Sequence, residues 1–164
     1  MMTRCRPVID NAVIGRSSLE KIMSYIYADY DHDYLQQEIT DMRRLVQKEK
    51  GSLRDKFDVK FGRGGIMDID FMTHYFQLRY GHEQESLQTC STRTALEQLK
   101  QLEILDAEHA DTLLAAYDFL KRIEARLRLF DMKAISAFPQ EPAAHIPLAR
   151  AMGYFDEDEP HFVE

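Results

Sequence analysis

Cysteine is nearly missing from this sequence: Cys5 and Cys90 stand alone, far apart and outside any CxxC. Their spacing signals neither a disulfide framework nor a thiolate metal site, and fits two reduced thiols in a cytosolic protein. Proline and glycine are also few, five and seven in 164 residues, and charges of both signs are interspersed. That excludes disorder over most of the length. Basic charge is in deficit, 21 Lys and Arg against 28 Asp and Glu, for a net charge of −7. Such a chain lacks the basic stripe of a non-specific nucleic-acid binder, so any anion must be met by a local cluster working against the global field. No apolar run approaches the roughly 20 residues of a bilayer span. The start, "MMTRCRPVIDNAVIGRSS", has no apolar core ahead of a cleavage site. The expectation is a soluble cytoplasmic protein that uses neither membrane nor nucleic acid.

What is present, 45% hydrophobic and 30% charged residues, suits one domain with a real core. Ser17 and Glu20 have capping-box spacing, and behind them Leu19, Ile22, Met23, Ile26 and Tyr30 share one helical face. A second helix follows Asp33 with Leu35, Ile39, Met42 and Val46 inward, Arg43, Arg44 and Lys48 outward, and Gly51 at its end. "FDVKF" alternates and reads as a short extended lead-in. Ile66 to Tyr80 predicts a helix apolar nearly all round, hence buried, with one polar stripe of Asp70, His74 and Gln77. Ser91 or Thr92 caps a fourth helix. Asp106 caps a long fifth one with Leu113, Tyr117, Leu120, Ile123, Leu127 and Phe130 as its core stripe. Lys121, Arg122, Arg126 and Arg128 fall off that stripe, and Glu124 with Arg128 forms an i,i+4 pair. A short helix near "PLARAMG" and an acidic stretch close the chain. The predicted fold is all-α, a bundle of five to six helices with a short extended segment before a Gly-rich turn.

That turn, "KFGRGGIMDID", raises the chemical question. Met67 stands where a dinucleotide fingerprint needs its third glycine, and no Gly-Lys-Ser/Thr follows, so it is neither that fingerprint nor a P-loop. Gly62, Gly64 and Gly65 let the backbone approach a ligand closely and leave N–H groups at a helix start, which suits an anion. They equally suit a sharp turn into a buried helix. Asp68 near the third helical position would repel a phosphate there unless Mg²⁺ or Arg63 intervened. Asp68 and Asp70 imitate a metal-binding DxD, but on a helix i and i+2 point roughly 200° apart. They are therefore not a chelating pair. The stripe of Asp70 and His74 either orients a side chain, meets a partner domain, or is satisfied inside the bundle. The remaining histidines show no ligand spacing, and no Ser/His/Asp or Cys/His arrangement is defensible. No catalytic residue and no metal site is assigned.

The order of "RCRPV", "FDVKFGRGGIMDIDF", "LRYGHE", "STRTALEQL" and "AAYDFLKRIEARLRLFD" resembles the helical domain that follows the nucleotidyltransferase domain in glutamine synthetase adenylyltransferases. The resemblance runs from about Arg4 to Tyr154 and is sharpest in the K-x-G-x-G-G-I-x-D-I-[DE]-F pattern. A looser version occurs in the uridylyltransferase acting on the PII signalling protein. That family pairs an adenylyl-removing half with an adenylylating half. "RDKFDVK" and "LRYGHE" look like the latter and "AYDFLKRIEARLRLFD" like the former, so the half stays open. The family's catalytic signature, a Gly-Ser followed by an Asp-x-Asp on a strand, has no counterpart here, since the Asp68 and Asp70 pair lies on a predicted helix. The resemblance thus implies a single helical domain over 1–155, with 156–164 an acidic tail or the start of a truncated helix, lying downstream of a catalytic domain and inactive alone. It implies AMP transfer from Mg²⁺-bound ATP, both held by the parent enzyme and neither by this stretch alone, to a tyrosine of glutamine synthetase under PII and glutamine control. It also implies a cleft lined by Lys60, Arg63, Gly64, Gly65 and Asp70, with Arg4 and Arg6 at a paired-arginine position. The alternatives are an interaction module docking PII or glutamine synthetase, and the PII-uridylyltransferase branch.

Overall fold

A computed structural model describes residues 3, 5, 14–50, 58–131, 137–138 and 145–154. Among the described residues six α-helices run in chain order: α1 Ile14–Ile26, α2 His32–Lys50, α3 Ile66–Tyr80, α4 Thr92–Gln101, α5 Ala107–Asp131 and α6 His145–Ala151, with a 3₁₀ turn at Glu85–Leu87 before α4. No sheet forms among the described residues. The expected extended lead-in narrows to one antiparallel bridge between Asp58 and Ala137. The chain turns immediately afterwards because the Asp58 carboxylate accepts hydrogen bonds from the Lys60 and Phe61 amides, both at 2.9 Å.

The all-round apolar character of α3 is explained by its place: none of its residues is exposed, and it packs against α2, α4 and α5. Ile66 and Ile69 join Val59, Leu96, Leu99, Leu120, Ile123 and Leu127 in one core, which Leu148 of α6 completes. Ser91 caps α4 by accepting from the Thr94 amide at 3.2 Å. Asp106 does the same for α5 through the His109 amide at 3.0 Å. In α6, Pro147 sits in the first turn, where its missing N–H costs nothing.

Two expectations are corrected. The first helix begins at Ile14, a turn ahead of Ser17, so Ser17 and Glu20 lie inside it and do not cap it. On α2, Leu35 is buried and Ile39 and Val46 are partly buried, but Met42 is 49% exposed while Arg43 turns inward. The buried arc is rotated because Arg43 has polar partners to reach beneath the helix. At the far end of α3, Tyr27 packs on Gly81, where an added Cβ would lie 2.4 Å from the ring. Burial, with a smaller contribution from Cys90, pushes the Tyr27 phenol up to about 12.

Candidate functional site

The Gly-rich turn is held by its own backbone. The Gly62 amide donates to the Asp58 carbonyl at 2.9 Å and the Gly65 amide to that of Gly62 at 3.1 Å. At the start of α3, the Ile66 and Met67 amides donate to the Val59 and Lys60 carbonyls, at 2.9 and 3.0 Å. The Gly64 amide is taken by the Asp68 carboxylate at 2.6 Å. The N–H groups that glycines at a helix start would offer to an anion are therefore satisfied within the turn. The glycines are explained by geometry: a Cβ on Gly62 would lie 2.4 Å from the Asp58 carbonyl oxygen, one on Gly65 2.8 Å from that of Val59, and Gly64 has φ +73°.

Arg43 fixes this turn from α2. Its Nε donates to Asp68 at 2.5 Å, and its Nη2 donates to the carbonyls of Phe61 and Gly62, both at 3.1 Å. A groove of about 500 Å³ between α2 and α3 has Arg43 in its wall beside Ile39, Phe71 and Tyr75. Asp68 thus faces α2, whereas Asp70 is buried and accepts from the Thr92 hydroxyl of α4 at 2.7 Å. The two carboxylates diverge, as helical spacing requires. Gln77, in the same stripe as Asp70, donates to the Leu87 and Thr89 carbonyls at 2.7 and 2.8 Å. The stripe ties α3 to the segment around α4.

What the turn presents outward is side chain. Arg63 is exposed and makes no ion pair among the described residues. Lys60 is partly exposed and reaches toward α5, its Nζ 3.8 Å from Glu124. Glu124 is buried, and its two oxygens also receive Lys121 at 2.6 Å and Arg128 at 2.7 Å. Burial by itself would raise its pKa, but the Lys121 hydrogen bond and the charges of Lys121, Arg128 and Lys60 outweigh it, so the carboxyl is held below its usual range.

Of the residues expected to line a cleft, the structure thus brings Lys60, Arg63, Gly64 and Gly65 together in one turn and places Asp70 on the opposite face of α3. Arg4 and Arg6 lie outside the described residues, as does the closing stretch 156–164. Sequence reading missed Arg43, set outside the apolar stripe of α2, and saw in Glu124 only a helix pair with Arg128. Its signal was the basic residues three before and four after it, beside the core positions Ile123 and Leu127. Among the described residues, no three His, Cys, Asp or Glu group as metal ligands, and no helix is long and apolar enough to cross a membrane.

The sequence model of a family described as GlnD PII-uridylyltransferase matches residues 34–164. A bifunctional glutamine synthetase adenylyltransferase/adenylyl-removing enzyme of Neisseria meningitidis is 34% identical over 69% of this chain and 13% of its own length. Proteins of the same name from Mycobacterium marinum and Thioalkalivibrio sulfidiphilus are 30% and 26% identical, over 85% and 94% of this chain. The chain spans only 14% and 16% of those two relatives.

Proposed function

This chain belongs to the family of the PII-uridylyltransferase and the bifunctional glutamine synthetase adenylyltransferase/adenylyl-removing enzymes, and on that premise we propose that it is the helical domain serving a nucleotidyltransferase domain of such an enzyme. In this reading the parent moves AMP between ATP and a tyrosine of glutamine synthetase, in the cytoplasm, under PII and glutamine control. The upstream domain would hold Mg²⁺, which would neutralise the charge of the triphosphate and position the attacking hydroxyl. The described residues contribute no ligand set for the metal, and in this reading the chain has no transfer activity alone.

The observation that carries the proposal is the turn itself. Backbone hydrogen bonds and Arg43 hold it in place, and it carries the exposed Arg63, which makes no ion pair among the described residues, three positions after Lys60. A preformed loop that keeps a cation exposed in a chain of net charge −7 fits a face turned toward phosphates. Its role is positioning and charge. Proton transfer and metal binding belong elsewhere.

The test joins this chain to its natural upstream segment and follows the mass of glutamine synthetase on incubation with Mg-ATP. Wild type should add one AMP per subunit. Lys60→Ala and Arg63→Ala should each lower turnover by about tenfold, the effect of one charged contact to a phosphoryl group of about 1.4 kcal/mol, with unchanged helix content. Turnover kept in both variants, or lost only through weaker docking, would make the domain a scaffold. Because the matching family is named for a uridylyltransferase, a parallel arm offers UTP and PII. UMP transfer to PII would replace the adenylyl reading.

A further inference from the structure

Glu124 offers one negative charge and receives three positive ones. Lys121 and Arg128 come from its own helix, one turn before and one turn after, and Lys60 comes from the Gly-rich turn. One cation would neutralise a buried carboxylate, so the surplus needs another explanation. The whole chain has a net charge of −7, which makes a local surplus of two cations less expected still. Glu124 is only 4% exposed, whereas the side chains of Lys60, Lys121 and Arg128 are 34%, 46% and 51% exposed. The carboxylate is therefore underneath and the cations open to solvent. Lys60 and Arg128 meet the same carboxylate oxygen, Oε1, so their heads lie within the span of a short phosphate chain. Each lysine head has three N–H donors and arginine five, and Glu124 can occupy only some of them.

We propose that Lys60, Lys121 and Arg128, gathered by the buried Glu124, form a binding site for a polyphosphate anion of the kind carried by a nucleoside triphosphate. Glu124 holds Lys121 and Arg128 by hydrogen bonds and draws Lys60 to within 3.8 Å, so less ordering entropy remains to be lost when the anion arrives. The outward donors meet phosphate oxygens in charge-assisted hydrogen bonds. The site reads charge and spacing, and nothing in it reads a base. It shares Lys60 with the loop proposed above but stands on the geometry around Glu124 and not on the family's activity.

The probe is inorganic tripolyphosphate, titrated into the 164-residue chain by calorimetry and by amide chemical shifts. Saturable binding is expected at low salt and should weaken as ionic strength rises, because the cluster is solvent-facing. Lys121→Ala and Arg128→Ala should each weaken it about tenfold, equivalent to about 1.4 kcal/mol. Arg128→Lys should restore most of the loss. Lys100→Ala, which removes an exposed cation paired with Asp111, should change nothing. ATP should bind about as tightly as tripolyphosphate. No saturable binding, equal binding by the cluster variants and wild type, or ATP binding without tripolyphosphate binding would each overturn the proposal. Shift changes in the wild type centred away from Lys60, Lys121 and Arg128 would overturn it even if a variant failed to fold. A parent enzyme that transfers no nucleotide leaves this binding measurement intact, so the two readings fail separately.

Discussion

Glu124 is the residue whose environment makes the most definite statement about pH. Its carboxyl is held below the ordinary value of 4.5: burial opposes ionisation, and the hydrogen bond and charges of Lys121, followed by Arg128 and Lys60, outweigh it. A carboxyl with a depressed folded pKa contributes stability that is fully present above its unfolded value and is lost as pH falls through the folded one. Chemical denaturation of wild type against Glu124→Gln should therefore show a gap at pH 7 that narrows below about pH 4.5. A gap of constant size across that window would mean that the carboxylate's charge contributes nothing and only its packing matters. The amide would still fill the space, but it would leave three cations facing one another without a counter-charge. The gap at neutral pH thus measures how far the trio depends on the carboxylate beneath it.

At the scale of elements, the Gly-rich turn is governed by two kinds of glycine. Gly62 lies where the backbone comes too close for a side chain, with Asp58's carbonyl oxygen 2.4 Å from an added Cβ; Gly64 has open space around it but φ +73°. Gly64→Ala should cost about 1–2 kcal/mol, the strain of a left-handed residue, and leave the turn's shape intact. Gly62→Ala should cost more, about 3 kcal/mol, because backbone must shift, and should disturb the amides of Lys60 and Phe61 that Asp58 holds. Urea denaturation together with amide shifts distinguishes the two; equal costs with equal shift changes would remove the distinction. The turn and the buried helix behind it were legible in the sequence, since Gly-Arg-Gly-Gly ahead of an apolar run admits little else. The opposed directions of Asp68 and Asp70 were legible too, from helical spacing alone. The satisfaction of the helix-start amides was not, because it depends on how the carbonyls of Val59 and Lys60 fold back. Arg43 was illegible for a related reason: its partners Phe61, Gly62 and Asp68 lie 18 to 25 residues away, beyond any periodic pattern. The start of α1 was misplaced because Ser17 and Glu20 fit a cap that the helix does not use.

On the scale of the whole molecule, the helices do not share the core equally. α3, α4 and α5 supply most of the buried cluster, with Leu96 and Leu99 fully buried and Ile66, Ile69, Ile123 and Leu127 nearly so. α2 contributes one buried residue, Leu35, and exposes Tyr34, Met42 and Leu45. Its firmest tie to the rest is the polar reach of Arg43 to the turn and Asp68. Local stability follows buried contacts, so opening should occur in at least two steps, with α2 released at lower free energy than the α3–α5 core. Native-state hydrogen exchange should show α2 amides less protected than those of α3 and α4. Arg43→Ala should lower protection in α2 and in the turn by about 2 kcal/mol, the loss of hydrogen bonds from one charged group, while leaving α4 unchanged. Arg43→Lys should recover only part of this, because an ammonium cannot span two carbonyls and a carboxylate in the plane that the guanidinium uses. If protection in α2, α3 and α4 fell together, the domain would unfold as one unit and α2 would transmit nothing of its own. If α2 and the turn responded alone, whatever displaces α2 would also release Lys60 and Arg63. The groove between α2 and α3 would then be coupled to the turn through a single arginine.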